Sequence, residues 1–120
     1  MVDSTGESKM SGKRPYPVGT TVSSETVKLY VVVPAYNEES VIEGVIEDLT
    51  TVVPAQCIIA IDDGSSDSTA LAAERAGAIV LRHFINRGQG AAIATGIEFA
   101  LALGAEVVVT FDADGQHRAS

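Results

Sequence analysis

The stretch VVVTFDADGQH, Val107 to His117, runs an apolar, β-branched segment directly into two carboxylates and an amide. Val107 to Phe111 has the length and composition of a buried strand. Bare Asp side chains straight after a core strand are poor packing material and good ligands for a hard divalent cation. Asp112, Asp114 and Gln116 are spaced by two, so on an extended chain they point to one side. A cation such as Mg²⁺ held there would suit a substrate diphosphate, because it favours sites shared between a few carboxylates and phosphates.

Three earlier segments repeat this order of apolar run and polar loop. Leu29 to Val33 is broken by Pro34 and enters PAYNEE, Cys57 to Ile61 ends at Asp62 and enters DDGSSDST, and Ala78 to Leu81 enters Arg82 to Gln89. Continuous rather than alternating apolar runs predict strands covered on both faces, as in a parallel sheet. The spacers have helical period. Val41, Ile42, Val45, Ile46 and Leu49 form one stripe opposite Glu39, Glu43, Glu47 and Asp48, and Ser40 with Glu43 predicts a capping box. Ala70 to Ala76 predicts a second helix, capped at Ser66 or Asp67 and closed by Gly77. Gln89 to Leu103 predicts a third, with Ile93, Ile97 and Leu101 four apart and Gly104 as its stop.

Four strands separated by three helices predict an α/β fold with an open, mainly parallel sheet and flanking helices. Each polar cluster has a plain structural explanation by itself, as a helix entry, a turn or a glycine-rich loop. All four nevertheless fall at the carboxyl ends of strands, where open α/β sheets bind their ligands.

Composition narrows the function further. At 120 residues, of which 46% are hydrophobic, the chain suffices for one compact domain. A net charge of −8 argues against a nucleic-acid partner. Cys57, the single cysteine, has no internal disulfide partner and reads as a small hydrophobe in an apolar run. Residues 1–24 mix Ser, Thr, Gly, Pro and Lys without apolar periodicity, which predicts a disordered tail ahead of a domain over 25–120. That tail lacks the apolar core of a signal peptide, and nothing in the sequence reaches the roughly 18 apolar residues of a membrane span. These features predict a cytoplasmic location, or one at the cytoplasmic face of a membrane. The sequence stops three residues after FDADGQH with no closing element, from which a truncated protein is expected.

VVVPAYNEE, IDDGSSDST, NRGQGAA and FDADGQH, in this order and spacing, resemble the nucleotide-sugar-binding half of the family 2 glycosyltransferases. Within that family the likeness is to the polyprenyl-phosphate sugar transferases typified by dolichyl-phosphate mannose synthase, and it covers about Leu29 to His117. The resemblance implies a Rossmann-like GT-A fold. It also implies that Pro34, Tyr36 and Glu38 hold the nucleotide, and that Asp63, with the backbone near Ile61, reads the base. Asp112, Ala113 and Asp114 then match the DXD motif, with Asp112 and Asp114 taking the catalytic part and Gln116 a further metal ligand. Mg²⁺ or Mn²⁺ would bridge the diphosphate of a GDP- or UDP-sugar. The implied reaction inverts the anomeric carbon as an acceptor phosphate, of polyprenyl type, attacks it.

The sequence departs from the family where many relatives carry Lys in the NxGKG loop. Gln89 stands there, and Arg87 is the nearest cation that could substitute. The acceptor-binding half and any membrane attachment are expected beyond Ser120, so the rival to an enzyme is a nucleotide-sugar-binding fragment without turnover. A dehalogenase-like phosphatase would carry its DxD after the first strand rather than the fourth. A dinucleotide-binding oxidoreductase would need G-x-G-x-x-G where PAYNEE stands.

Overall fold

Val31, Val32 and Val33 put branched side chains on alternate sides of one strand, and both sides find cover. That strand, β1 (Leu29–Ala35), lies inside a four-stranded parallel sheet in the computed structural model, which describes residues 27–113. The other strands are β2 (Ile58–Asp62), β3 (Ile79–Arg82) and β4 (Val107–Thr110), in the order β3-β2-β1-β4. Helices α1 (Ile42–Leu49), α2 (Thr69–Arg75) and α3 (Gln89–Ala102) connect them, so the expected α/β class is borne out. The first three strands step away from β1 on one side, and β4 returns to its other side. The connections therefore reverse between β1 and β4, which is where a ligand crevice opens in such sheets.

Two apolar layers sandwich the sheet. On one face Val31, Val33, Ile58 and Ala60 pack with Ile42, Val45 and Ile46 of α1 and Ala72 and Ala73 of α2. On the other, Val32, Ile59 and Ile61 pack with Ala92 and Ala100 of α3. The stripe expected on α1 is the buried one. Cys57 is buried and free, as expected of a small hydrophobe.

Several local expectations are corrected. The buried residues of α3 are Ala92, Gly96 and Ala100, whereas Leu101 is exposed. The cause is close approach: a Cβ on Gly96 would lie 2.5 Å from Val32 Cγ1 and 2.6 Å from Ile61 Cδ1, so only small residues let α3 sit this near the sheet. The capping box of Ser40 and Glu43 does not form. The N–H groups of Val41 and Ile42 already reach the Glu38 carbonyl at 3.0 and 2.8 Å, and this closes the first turn by backbone alone. In α2 the N-cap position is Ser68, without a side-chain bond, while Asp67 Oδ1 accepts the Thr69 N–H at 3.0 Å. β4 is half exposed and not the buried run that its composition predicts, because it is an edge strand among the described residues.

Pro34 does not end β1. It pairs with Ile61 inside the strand. The Val32 carbonyl accepts from Phe111 N–H of the β4 side, and alternation turns Pro34 to that same side. A residue with an N–H at position 34 would continue the ladder to the Phe111 carbonyl. Proline cannot, so β1 and β4 part company at Phe111, and the chain carrying Asp112 leaves the sheet there.

Candidate functional site

At the carboxyl edge, where β1 and β4 separate, lies a cleft of about 220 Å³ lined by Pro34, Ala35, Tyr36, Glu38, Asp63, Asn86, Gly88, Gln89 and Asp112. All four polar clusters of the sequence contribute to it. Of the residues singled out from sequence, Pro34, Tyr36, Glu38, Asp63 and Asp112 meet in this cleft. Ile61 and Ala113 do not line it: both are buried apolar side chains, Ile61 under α3 and Ala113 in the layer beneath α1 and α2. Asp114 and Gln116 lie outside the described residues.

The first two loops are tied together by short polar side chains. Asn37 takes a positive φ of 52°, a conformation that Asn tolerates better than most residues. Its N–H donates to Ser65 Oγ at 2.8 Å, and its Oδ1 accepts the Ser66 N–H at 3.0 Å. Glu38 N–H donates to Thr69 Oγ1 at 2.9 Å, and Glu39 exchanges bonds with Asp67 and Ser68. Thr69 is buried, and its hydroxyl donates to Asp67 Oδ1. Burial opposes ionisation of Asp67, but the Thr69 hydroxyl and the N–H groups of Thr69 and Glu39 outweigh it and hold the carboxyl below its ordinary range.

Asp63 ties in the third loop. Its N–H donates to the Ala35 carbonyl at 2.9 Å, and its side chain is almost wholly enclosed. Oδ1 lies 2.7 Å from His83 Nδ1 and accepts the Arg87 N–H at 2.9 Å, while Oδ2 accepts the Gly88 N–H at 2.8 Å. Burial raises the pKa of this carboxyl; the Arg87 N–H, the His83 ring and the Gly88 N–H together bring it below the ordinary value. Asp63 is thus an ionised acceptor with about four lone-pair positions, of which three are engaged and one on Oδ2 is left. Its neighbour Asp62 faces the other way. Asp62 Oδ1 takes the Ser65 N–H at 3.0 Å, and Oδ2 makes a charge contact with Arg82 Nε at 3.1 Å that lacks the alignment of a hydrogen bond.

In the third loop the sequence marks only Gln89, at the place of the family's Lys, and Arg87 as the cation that could substitute for it. Asn86, Gly88 and Gln89 line the cleft, whereas Arg87 is exposed, is not among the lining residues and contributes its backbone N–H to Asp63. Gln89, not Arg87, therefore occupies the cleft at this point. His83 reads from sequence as a solvated charge; it is buried, and no local signal marks it.

Among the described residues no group of three or more His, Cys, Asp or Glu is drawn together to hold a metal ion. The donor chemistry nonetheless suits a hard cation. Asp112 brings a carboxylate to the rim of the cleft at the point where the chain leaves β4, and Glu38 brings another from the β1 loop.

A family model described as Glycosyl transferase family 2 matches residues 30–120. An uncharacterized protein of Methanocaldococcus jannaschii is 46% identical over 75% of this chain and 37% of its own length. A UDP-N-acetylglucosamine–dolichyl-phosphate N-acetylglucosaminyltransferase of Methanococcus voltae is 37% identical over 74% of this chain and 42% of its own. Among solved structures, glucosyl-3-phosphoglycerate synthase from Mycobacterium tuberculosis in complex with Mn²⁺, UDP-glucose and phosphoglyceric acid superposes with a TM-score of 0.63 at 28% identity, over 83% of this chain and 39% of that one. The chain thus spans about two fifths of the length of these relatives.

Proposed function

The chain belongs to glycosyl transferase family 2, and from that premise we propose that its cleft binds a nucleotide diphosphate sugar whose sugar the complete protein transfers to a polyprenyl phosphate. The observation that carries this reading is the convergence of all four strand-end loops on one cleft at the β1/β4 reversal. The half-exposed ring of Tyr36 offers a stacking surface for a base. Asp63 offers the acceptor position left on Oδ2 to a donor of the nucleoside, such as the ring N–H of uracil or guanine. Glu38 and the Pro34–Ala35 backbone complete the nucleoside wall.

Asp112, Asp114 and Gln116 would hold Mg²⁺ or Mn²⁺, which when bound supplies positive charge beside the departing diphosphate. The position of Asp112 in the cleft lining supports this part for it, and Asp114 and Gln116 are assigned by their place in the motif. In the transfer itself an acceptor phosphate oxygen attacks the anomeric carbon from the side opposite the nucleotide. The new carbon–oxygen bond forms as the bond to the diphosphate breaks, with inversion. A polyprenyl phosphate as acceptor is supported by the dolichyl-phosphate relative, and a lipid acceptor would bring the protein to a membrane surface. No helix among the described residues is long and apolar enough to cross one.

Calorimetric titration of UDP- and GDP-sugars, each with and without Mn²⁺, tests the proposal. Binding of at least one sugar nucleotide, tightened by the metal, is expected. Absence of binding to either nucleotide class under both conditions would overturn it.

A further inference from the structure

We propose that His83 is a positioning residue, locking the Asp63 carboxylate so that Arg87, Gly88 and the start of α3 are set against the cleft before any ligand arrives. The proposed function gives His83 no task. Yet it is one of the few buried polar side chains among the described residues, and a residue that only filled space there would more cheaply be apolar.

The residue joins three elements. Its backbone N–H donates to the Asp62 carbonyl at 2.9 Å, which fixes it beside the end of β2. Nδ1 lies 2.7 Å from Asp63 Oδ1, and Nε2 lies 2.8 Å from Thr95 Oγ1 in α3. Because the ionised Asp63 can only accept, Nδ1 carries the proton of that bond. Asp63 in turn holds the two N–H groups just ahead of the helix, at 2.9 Å to Arg87 and 2.8 Å to Gly88. Gly88 is the N-cap of α3, at φ 102°, and has no side chain with which to cap. Asp63 instead fixes the N–H of this cap residue and of the residue before it, which sets where the helix begins. A carboxylate free to turn about its last torsion would lose both loop bonds together. The His83 bond, anchored at its far side by Thr95, prevents that turn.

Two isosteric variants separate positioning from space-filling. In His83→Asn the amide nitrogen takes the place of Nδ1 and keeps the bond to Asp63. In His83→Gln it takes the place of Nε2, keeps Thr95 and abandons Asp63. Amide hydrogen exchange of the whole chain, followed by NMR without ligand, should find Arg87 and Gly88 near parental protection in His83→Asn. In His83→Gln their exchange should be about tenfold faster or more, with the amides of β1 and β2 unchanged. Equal protection in parent and both variants, or equal acceleration in both, would overturn the inference.

The second arm rests on the nucleotide reading. UDP and GDP, titrated in the presence of Mn²⁺, should bind His83→Gln about tenfold more weakly than the parent, and His83→Asn nearly as well. Equal affinity in all three, with the loop loosened in His83→Gln, would refute the link between His83 and the cleft. A parent that binds neither nucleotide removes the nucleotide reading, while the exchange arm still decides whether His83 positions the loop.

Discussion

Replacing Gly64 by Ala strikes the fold and the cleft through one methyl group. Gly64 has a φ of +76°, and a Cβ there would lie 2.4 Å from Asn86 N and 2.5 Å from the Ile85 carbonyl carbon. Both atoms are backbone, so no flexible side chain can swing aside. Left-handed backbone costs a non-glycine residue about 1–2 kcal/mol, and forcing an extra methyl into a packed site costs about 1–3 kcal/mol. The expected loss is therefore about 2–5 kcal/mol, which in a domain of this size lowers the melting temperature by about 10 °C or more. Asn86 lines the cleft, so the displacement that relieves the clash should also weaken the proposed nucleotide binding. Gly44→Ala is the control, since nothing lies within 4 Å of its Cβ and α1 gains up to about 1 kcal/mol of helix propensity. Thermal and urea unfolding followed by circular dichroism, with nucleotide calorimetry on the same samples, decide the matter. If Gly64→Ala melts with the parent, or Gly44→Ala is the more harmful change, the close approach of the two loops is not as described.

Asp114→Ala should abolish the Mn²⁺-dependent part of sugar-nucleotide affinity while leaving the unfolding midpoint unchanged; calorimetry with and without Mn²⁺ checks this, and a retained metal effect refutes it. Asp63→Ala should weaken nucleotide binding by about 1.5–3 kcal/mol even without metal. The same carboxyl gives a pH test. Its folded pKa, like that of Asp67, lies below the ordinary 3.8, so the stability it adds is complete above that value and drains away as pH falls through the folded-state value. Urea midpoints at pH 7 and pH 3 should thus differ less in Asp63→Asn than in the parent. Gln89→Lys places a cation in the cleft lining, and affinity for UDP or GDP in the absence of metal should rise; unchanged metal-free affinity would show that residue 89 does not face the phosphates.

The central strands were legible because Val31–Val33 and Ile58–Ile61 are apolar without alternation, which only a doubly covered strand explains. The edge strands were legible as strands but not as exposed ones, since composition reports what a strand can bury and not whether a neighbour is present to bury it. α3 hid its inner face for a related reason. Its sequence QGAAIATGIEFALA is apolar on most sides, so periodicity favours the large Ile93 and Ile97, whereas distance to the sheet selects Gly96. The positions of Tyr36, Glu38, Asp63 and Asp112 in the cleft followed from one rule, that polar residues after strands gather at the carboxyl edge. The partners of those residues did not follow from it. His83 meets Asp63 across 20 residues of sequence, and Asn37 meets Ser66 across 29, and neither pairing has a local signature.

Those cross-loop pairings explain the odd composition of DDGSSDST better than a turn does. A turn of this length needs one or two of Gly, Asp or Ser. Here Ser65, Asp67 and Thr69 each accept an N–H of the PAYNEE loop, and Asp63 accepts two N–H groups of the NRGQG loop. Each is a short side chain with few torsions to freeze, and each satisfies a main-chain donor that would otherwise need water. Fixing the backbone of one residue costs about 1–2 kcal/mol, and loops that line a binding cleft commonly leave that cost to the ligand. In this chain the β2 loop bears much of it during folding, because burying Thr69, Ser65 and Asp63 under the neighbouring loops is part of closing the core. The proposed nucleotide would then meet walls already in place, and its binding free energy would go less into ordering protein and more into affinity.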